Sequence, residues 1–223
     1  MPCAARGHRF HQTRGMREPF TLEGTYVRLE PLDLDHVDDL VAAAVADRST
    51  FGFTWVPDDR PAMVAYVERA RAHADAGDQV PFATRSLALD RIVGSTRFYD
   101  IESWDWSAID GTRASGNGEL DLVSIGHTWL GPVAQRTPVN SEAKLLMLDH
   151  AFDQWGVRAV RLQTDARNER SRAAIARIGC SLDGVLRSDR PAANGSVRDS
   201  AVFSMLAAEW PEARRRLAAR LTG

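Results

Sequence analysis

Lysine is almost missing from this chain: of 28 basic residues only Lys144 is a lysine, which leaves 28 − 1 = 27 arginines. Arginine codons are GC-rich, so the bias reads as the imprint of a GC-rich genome and carries little functional weight. Cysteine is nearly missing too. Cys3 and Cys180 lie far apart, a disulfide between them is not expected, and a reducing, cytoplasmic compartment fits. No apolar run approaches the ~18 residues that a membrane-spanning helix needs. The charge balance is nearly even, at −2, so no global field recruits nucleic acid or an acidic membrane. Also lacking is any Gly-x-x-x-x-Gly-Lys-Ser/Thr stretch, which disfavours a nucleotide hydrolase. The pair Gly116 and Gly118 lacks the third glycine of a dinucleotide turn and precedes a strand instead of following one. Six scattered histidines show no metal-ligand spacing, so no metal site is expected.

What remains is an ordinary globular composition of 44% hydrophobic and 26% charged residues over 223 positions, enough for one good core and short for two. The first 17 residues are rich in Arg and His and lack a signal-peptide apolar stretch. They read as a tail outside the fold, with Met16 an alternative start, and residues 18–223 read as one domain. Val27 to Leu29 alternates like a short strand ended by Pro31. Asp33 or Asp35 caps a predicted helix running to about Ala46, and a second helix follows Pro61. Residues 82–90 and 92–101 read as a β-hairpin, 102–118 as a loop, and Leu120 to Leu130 as a strand stopped by Gly131-Pro132. Then come a helix from Pro138 to Trp155, a strand from Ala159 to Thr164, a helix from Asn168 to Ile178, and strands from Leu182 to Arg187 and from Val197 to Met205. A basic helix starts at Pro211. The sum is a mixed α/β (α+β) fold, antiparallel at first and joined through helices later.

Two strand-to-helix junctions carry the chemistry. In the first, Thr137 suits an N-cap and Pro138 the first helical position, where a missing N–H costs nothing. The unpaired amides of that turn, with the helix dipole and the Arg136 charge, suit an anion such as a pyrophosphate. In the second, Asn168 caps a helix and Ser171 lies on the same side of its start. Each junction alone is ordinary connection chemistry. Two of them beside neighbouring strands suggest one extended ligand lying between.

With these residues in place, the chain resembles the GNAT acetyltransferases, and among them the Rim type that acetylates N-terminal amines of ribosomal proteins. The resemblance covers about Phe20 to Met205 in element order and is specific from Trp129 to Arg187. Gln135, Pro138 and Asn140 fall on an Arg/Gln-x-x-Gly-x-Gly/Ala loop, and Glu142-Ala143 matches the Glu-Ala of the helix it enters. Asn168 and Ser171 match an Asn-x-x-Ser start. Gly184 to Arg187 and Arg198-Asp199 match later strands.

The resemblance implies a GNAT fold, with helices flanking a mixed, mostly antiparallel sheet that splays between its fourth and fifth strands to admit acetyl-CoA. It implies that the backbone of Thr128, Trp129 and Leu130 pairs with the pantetheine arm, that Gln135, Arg136, Thr137, Pro138, Val139, Asn140 and Ser141 hold the pyrophosphate, and that Asn168 contacts pantetheine. Ser171 would sit near the sulfur and protonate the departing thiolate. The sequence departs from the family twice: Ile175 stands where many relatives have a tyrosine acid, and Pro138 replaces a glycine whose amide faces phosphate.

Acetyl transfer needs a neutral amine. An α-amine with pKa ~7.7–8.0 is roughly a tenth or more neutral at pH 7, whereas a lysine near ~10.4 is almost wholly charged. The candidate bases are Glu119 first, then Asp121, Asp189 and His127, and a backbone N–H near Leu130 is the candidate oxyanion donor. Phe53, Trp55, Trp104 and Trp106 are candidate walls of an acceptor groove or, equally, core residues. The expected function is N-acetylation of an amine, most readily a protein N-terminus, with a homodimer expected by common practice. The competing reading is a non-catalytic CoA- or protein-binding module, antitoxin-like, that keeps the fold. Arg214-Arg215-Arg216 and Arg220 read as a solvated helix face more readily than as an RNA contact.

Overall fold

The computed structural model describes residues 19–106 and 120–222. The predicted tail 1–17, most of the predicted loop 102–118, Cys3 and Glu119 lie outside the described residues.

The elements in chain order are β1 (Leu22–Glu23), β2 (Val27–Pro31), α1 (Val37–Val45), α2 (Arg60–Asp75), β3 (Val80–Ser86), β4 (Arg91–Glu102), β5 (Leu122–Leu130), α3 (Pro138–Asp149), β6 (Ala159–Asp165), α4 (Glu169–Arg177), β7 (Ser181–Pro191), β8 (Val197–Leu206) and α5 (Trp210–Thr222). Strand order is β1-β2-β3-β4-β5-β6-β8-β7. Every neighbouring pair is antiparallel except β5 and β6, which are parallel. The expected mixed sheet is present, and the splay falls between the predicted fourth and fifth strands. These are β5 and β6 here, because the two-residue β1 adds one to the count.

Local chemistry accounts for most boundaries. Asp59 caps α2 by accepting from the Ala62 amide at 2.7 Å, with Pro61 in the first turn. Thr137 caps α3 and Asn168 caps α4, both as expected from sequence. Gly179, at φ +105°, ends α4 in a conformation that side chains resist. Several boundaries differ from expectation: Asp33 caps a 3-10 turn over Leu34–His36 that precedes α1, and β5 starts at Leu122. The hairpin turn is Leu87–Asp90, with Asp90 at φ +43°. The α3 helix stops at Asp149 and a π-turn over His150–Gln154 follows. Strand β7 runs on to Pro191, four residues past Arg187, because it pairs with β8 along its length after an irregular stretch at Leu186/Arg190.

The sheet is covered on both faces. Met147, Leu148, Ile175, Ile178, Ala213 and Leu217 from α3, α5 and the α4 segment pack on one face, with Phe98, Ile125, Val160 and Phe203 beneath them. Leu40, Met63, Val67 and Ala70 of α1 and α2 cover the other, against Ala83, Ile92 and Trp129. Burial on both faces explains why β3 and β4 lack a clean alternation of apolar and polar side chains. At the β4–β5 contact, a Cβ on Gly94 would come within 2.1 Å of the Trp129 carbonyl oxygen, so only glycine lets the strands approach this closely.

Candidate active site

The cleft arises because β5 and β6 pair over only three positions, Leu122 with Ala159, Val123 with Val160 and Ser124 with Arg161. Beyond Ile125 the two strands have no shared ladder. The cause is local: opposite Ser95–Arg97 of β4, strand β5 carries a bulge, with register stepping from Trp129 to Gly126 and His127 at φ +49°. A bulge bends its strand and re-aims its side chains. The result is a cleft of about 960 Å³ between the parted strands.

Ten of the predicted cofactor residues line this cleft. Thr128, Trp129 and Leu130 supply the strand wall, Gln135, Arg136 and Thr137 the loop, and Asn140 and Ser141 the first turns of α3; Asn168 and Ser171 face them from α4. The two others do not line it. Val139 is 4% exposed and turned into the core, and the exposed Pro138 has no amide to offer, so neither side chain takes part in the lining.

The α3 start has the chemistry of an anion site. Thr137 Oγ1 donates to the Ala134 carbonyl at 2.7 Å and accepts only a long bond, 3.4 Å, from the Val139 amide. First-turn amides have no partner inside a helix. Arg136 is held at φ +60° beside them. Arg170 and Arg177, which the sequence reading did not single out, also line the cleft. Arg170 reaches across the mouth, donating to Gln135 Oε1 at 3.3 Å and to the Thr50 carbonyl at 3.1 Å. Gln135 itself donates to the Leu130 carbonyl at 2.8 Å, tying the loop to the end of β5. Helix-start donors, three guanidinium groups and a long apolar floor of Ile125, Leu162, Ile175 and Ile178 fit an acylated, pyrophosphate-bearing cofactor.

The candidate proton carriers are distributed differently. Ser171 lines the cleft, and its amide donates to Asn168 Oδ1 at 3.0 Å. Ile175 lines it too, so no hydroxyl stands one turn further on. Asp189 is not among the cleft-lining residues. Its carboxylate accepts from Ser200 Oγ at 2.6 Å and Arg190 Nε at 2.7 Å, and those bonds hold its pKa below the usual carboxylate range. Asp121 is fully buried and clamped by the Trp104 amide at 2.8 Å, the Trp106 indole and Arg158 Nε at 2.9 Å. Neither carboxylate lines the cleft, and Trp104 and Trp106 bond Asp121 instead of walling the cleft. Phe53 and Trp55 do line it. His127, exposed on β5, lines the cleft beside Trp55 and Tyr66. Desolvation, then Arg97, Arg190, His73 and Arg198, push its pKa down to about 4, so it is neutral at pH 7 and a weak base.

One cleft residue was invisible as such in the sequence. Lys144 is buried on α3, its ammonium donating to Thr128 Oγ1 at 2.8 Å and Thr96 Oγ1 at 3.1 Å with no carboxylate beside it among the described residues, and burial pushes its pKa down to about 7. Its being the sole lysine was the only available hint. Cys180 is a free, buried thiol pushed up to about 12 by burial, which leaves it unreactive.

Comparison with known proteins agrees with this geometry. The profile of the acetyltransferase (GNAT) domain matches residues 27–181. No curated protein sequence matches the chain. Among solved structures, a GCN5-related N-acetyltransferase from Brucella melitensis is 28% identical, with a TM-score of 0.77 over 92% of this chain and 86% of that one. An acetyltransferase from T. thermophilus is 30% identical, with a TM-score of 0.73 over 91% and 97%. Mycobacterium smegmatis RimJ, solved with CoA-disulfide, is 19% identical and shares the fold, with a TM-score of 0.73 over 92% and 96%. With a family match across most of its length and the parted β5–β6 pair in place, the chain belongs to the GNAT acetyltransferases.

Proposed function

We propose that this acyltransferase moves the acetyl group of acetyl-CoA to an α-amino group at a protein N-terminus, as Rim-type enzymes do. One observation carries the choice of acceptor: among the described residues no Asp or Glu lines the cleft. With only the described lining to deprotonate it, a lysine at pKa ~10.4 presents almost no neutral amine at pH 7, whereas an α-amine at pKa ~7.7–8.0 presents a useful fraction. His127, neutral and at the acceptor end, accepts a proton only weakly.

The bound cofactor supplies a thioester as acetyl donor. The α3 amides with Arg136, Arg170 and Arg177 hold its phosphates, and the Thr128–Leu130 backbone lines its arm. Asn168 positions the α4 start, and the Ser171 hydroxyl passes a proton to the leaving sulfur and is reprotonated by the one that the amine gives up as the C–N bond forms and the C–S bond breaks, so the serine ends neutral. The test is acetyl-CoA turnover with a short peptide bearing a free α-amine and an internal lysine. Acetylation confined to the α-amine by mass spectrometry supports the reading. Cofactor binding without turnover on any such peptide overturns it and leaves a CoA-binding module.

Ser171→Ala tests the proton donor separately. The expected result is a fall in kcat of roughly 10–100-fold with little change in the KM for acetyl-CoA, since the hydroxyl acts on the leaving group more than on binding. An unchanged kcat transfers the role to water.

A further inference from the structure

Beside the acceptor end of the cleft lies a second, smaller cavity of about 140 Å³, and Trp55, Tyr66 and His127 line both. Its remaining walls are Arg69, Ala70 and His73 from α2, Gln79, and Arg97 from β4. Arg97 is 5% exposed. Its guanidinium stacks 5.2 Å over the Tyr66 ring and donates from Nη1 to Gln79 Oε1 at 2.8 Å. Among the described residues, Nε and Nη2 have no hydrogen-bond partner. Those two nitrogens form the side of the guanidinium that grips a carboxylate with two parallel bonds. A buried guanidinium with an empty fork is expensive, and such unsatisfied groups in a folded protein call for an explanation.

A second observation points the same way. Arg190 and Arg198 line the same cleft as His127, and their charges disfavour its protonated form. Arg198 is itself held below its ordinary pKa by burial and then by Arg190, so the acceptor end carries excess positive charge. Asp78 at 3.5 Å from His73, Asp189 on Arg190, and Asp165 acting on Arg198 offset part of it, but none of them lines either cavity.

We propose that the acceptor carries a carboxylate close to its reacting amine and that Arg97 binds this carboxylate in the side cavity beside His127. Resting on the α-amine reading above, this makes the preferred acceptor a peptide N-terminus with an acidic residue in its first few positions. Arg97 is here a specificity residue: it holds the acceptor by a group that does not react, and Arg69 and His73 add to the local field.

Binding is the test, because it reads the preference without turnover. Two short peptides, identical except for Glu or Gln at the second position, are titrated calorimetrically into the full chain saturated with CoA, with a phosphoserine peptide as a third arm. The expected result is that the Glu peptide binds about 10-fold or more tightly than the Gln peptide. In Arg97→Gln the preference should fall to near unity, and in Arg97→Lys, which keeps the charge but loses the fork, it should return in part. A melting-temperature rise with acetyl-CoA checks that each variant is folded. Equal binding of the Glu and Gln peptides by the unaltered protein overturns the proposal, as does binding of neither. Tighter binding of the phosphoserine peptide than of the Glu peptide overturns the carboxylate assignment. A failure of α-amine acetylation appears in the turnover assay whatever the binding preference, so the two readings fail separately.

Discussion

Glu142→Ala is expected to lower stability by about 3–5 kcal/mol, a melting-temperature drop of roughly 10 °C for a chain of this size. The carboxylate accepts three backbone N–H bonds from the β1–β2 turn: Thr25 at 2.8 Å, Tyr26 at 2.6 Å and Val27 at 2.9 Å. Val27 is fully buried, so its amide has no water to turn to once the carboxylate is gone. The contact also ties α3 to the sheet edge more than a hundred residues earlier in the chain, and α3 carries the phosphate-binding turn. Loss of Glu142 should therefore weaken cofactor binding as well as the fold. Chemical denaturation and acetyl-CoA titration of the variant measure the two effects. A change below about 1 kcal/mol would mean that the three amides find other partners.

Lys144→Met is expected to do the opposite. A buried ammonium with only two threonine hydroxyls for company disfavours folding, and an apolar side chain of similar length should stabilise the protein by about 1–4 kcal/mol at pH 6. The hydroxyls lose little, since Thr96 and Thr128 already lie 2.8 Å apart and can bond each other. The pH dependence has a definite sign. Lys144 titrates near 7 when folded, against an ordinary 10.5. Between those values the unfolded chain holds a proton that the folded one has released, so the unaltered protein gains stability as pH rises through the window. The advantage of Lys144→Met should accordingly be largest below pH 7 and shrink towards pH 10. Denaturant midpoints at pH 6 and pH 9 decide it. An advantage that does not change with pH would mean that the ammonium is not buried.

The two junctions that carry the cofactor site were readable because their signals are local. Thr137-Pro138 and Asn168-x-x-Ser171 place a capping oxygen a few atoms from the amides it serves, and no distant residue is needed to specify that geometry. The candidate bases fared differently. Asp121 precedes β5, as read, and Asp189 lies inside β7 instead of just after it, but a carboxylate's direction depends on what surrounds it. Arg158 and two tryptophans claim the first, Ser200 and Arg190 the second. Spacing along the chain has no information about such partners. Glu142 and Lys144 lie close together on one helix, and nothing in the helical period distinguishes the residue that clamps the β1–β2 turn from the one that lines the cleft.

The sequence by itself determined which segments become strands and helices, where most helices start, and that bare amides crown α3 beside an arginine, because capping, turn chemistry and side-chain periodicity act over a few residues. The tertiary structure alone decided that β8 inserts between β6 and β7, that β5 parts from β6 after three pairs, and that Arg97 is buried beside His127 with two of its three guanidinium nitrogens unpartnered among the described residues. Those outcomes depend on strand register and on burial by elements far away in the chain. Such energies exist only once the sheet has closed over its two cores.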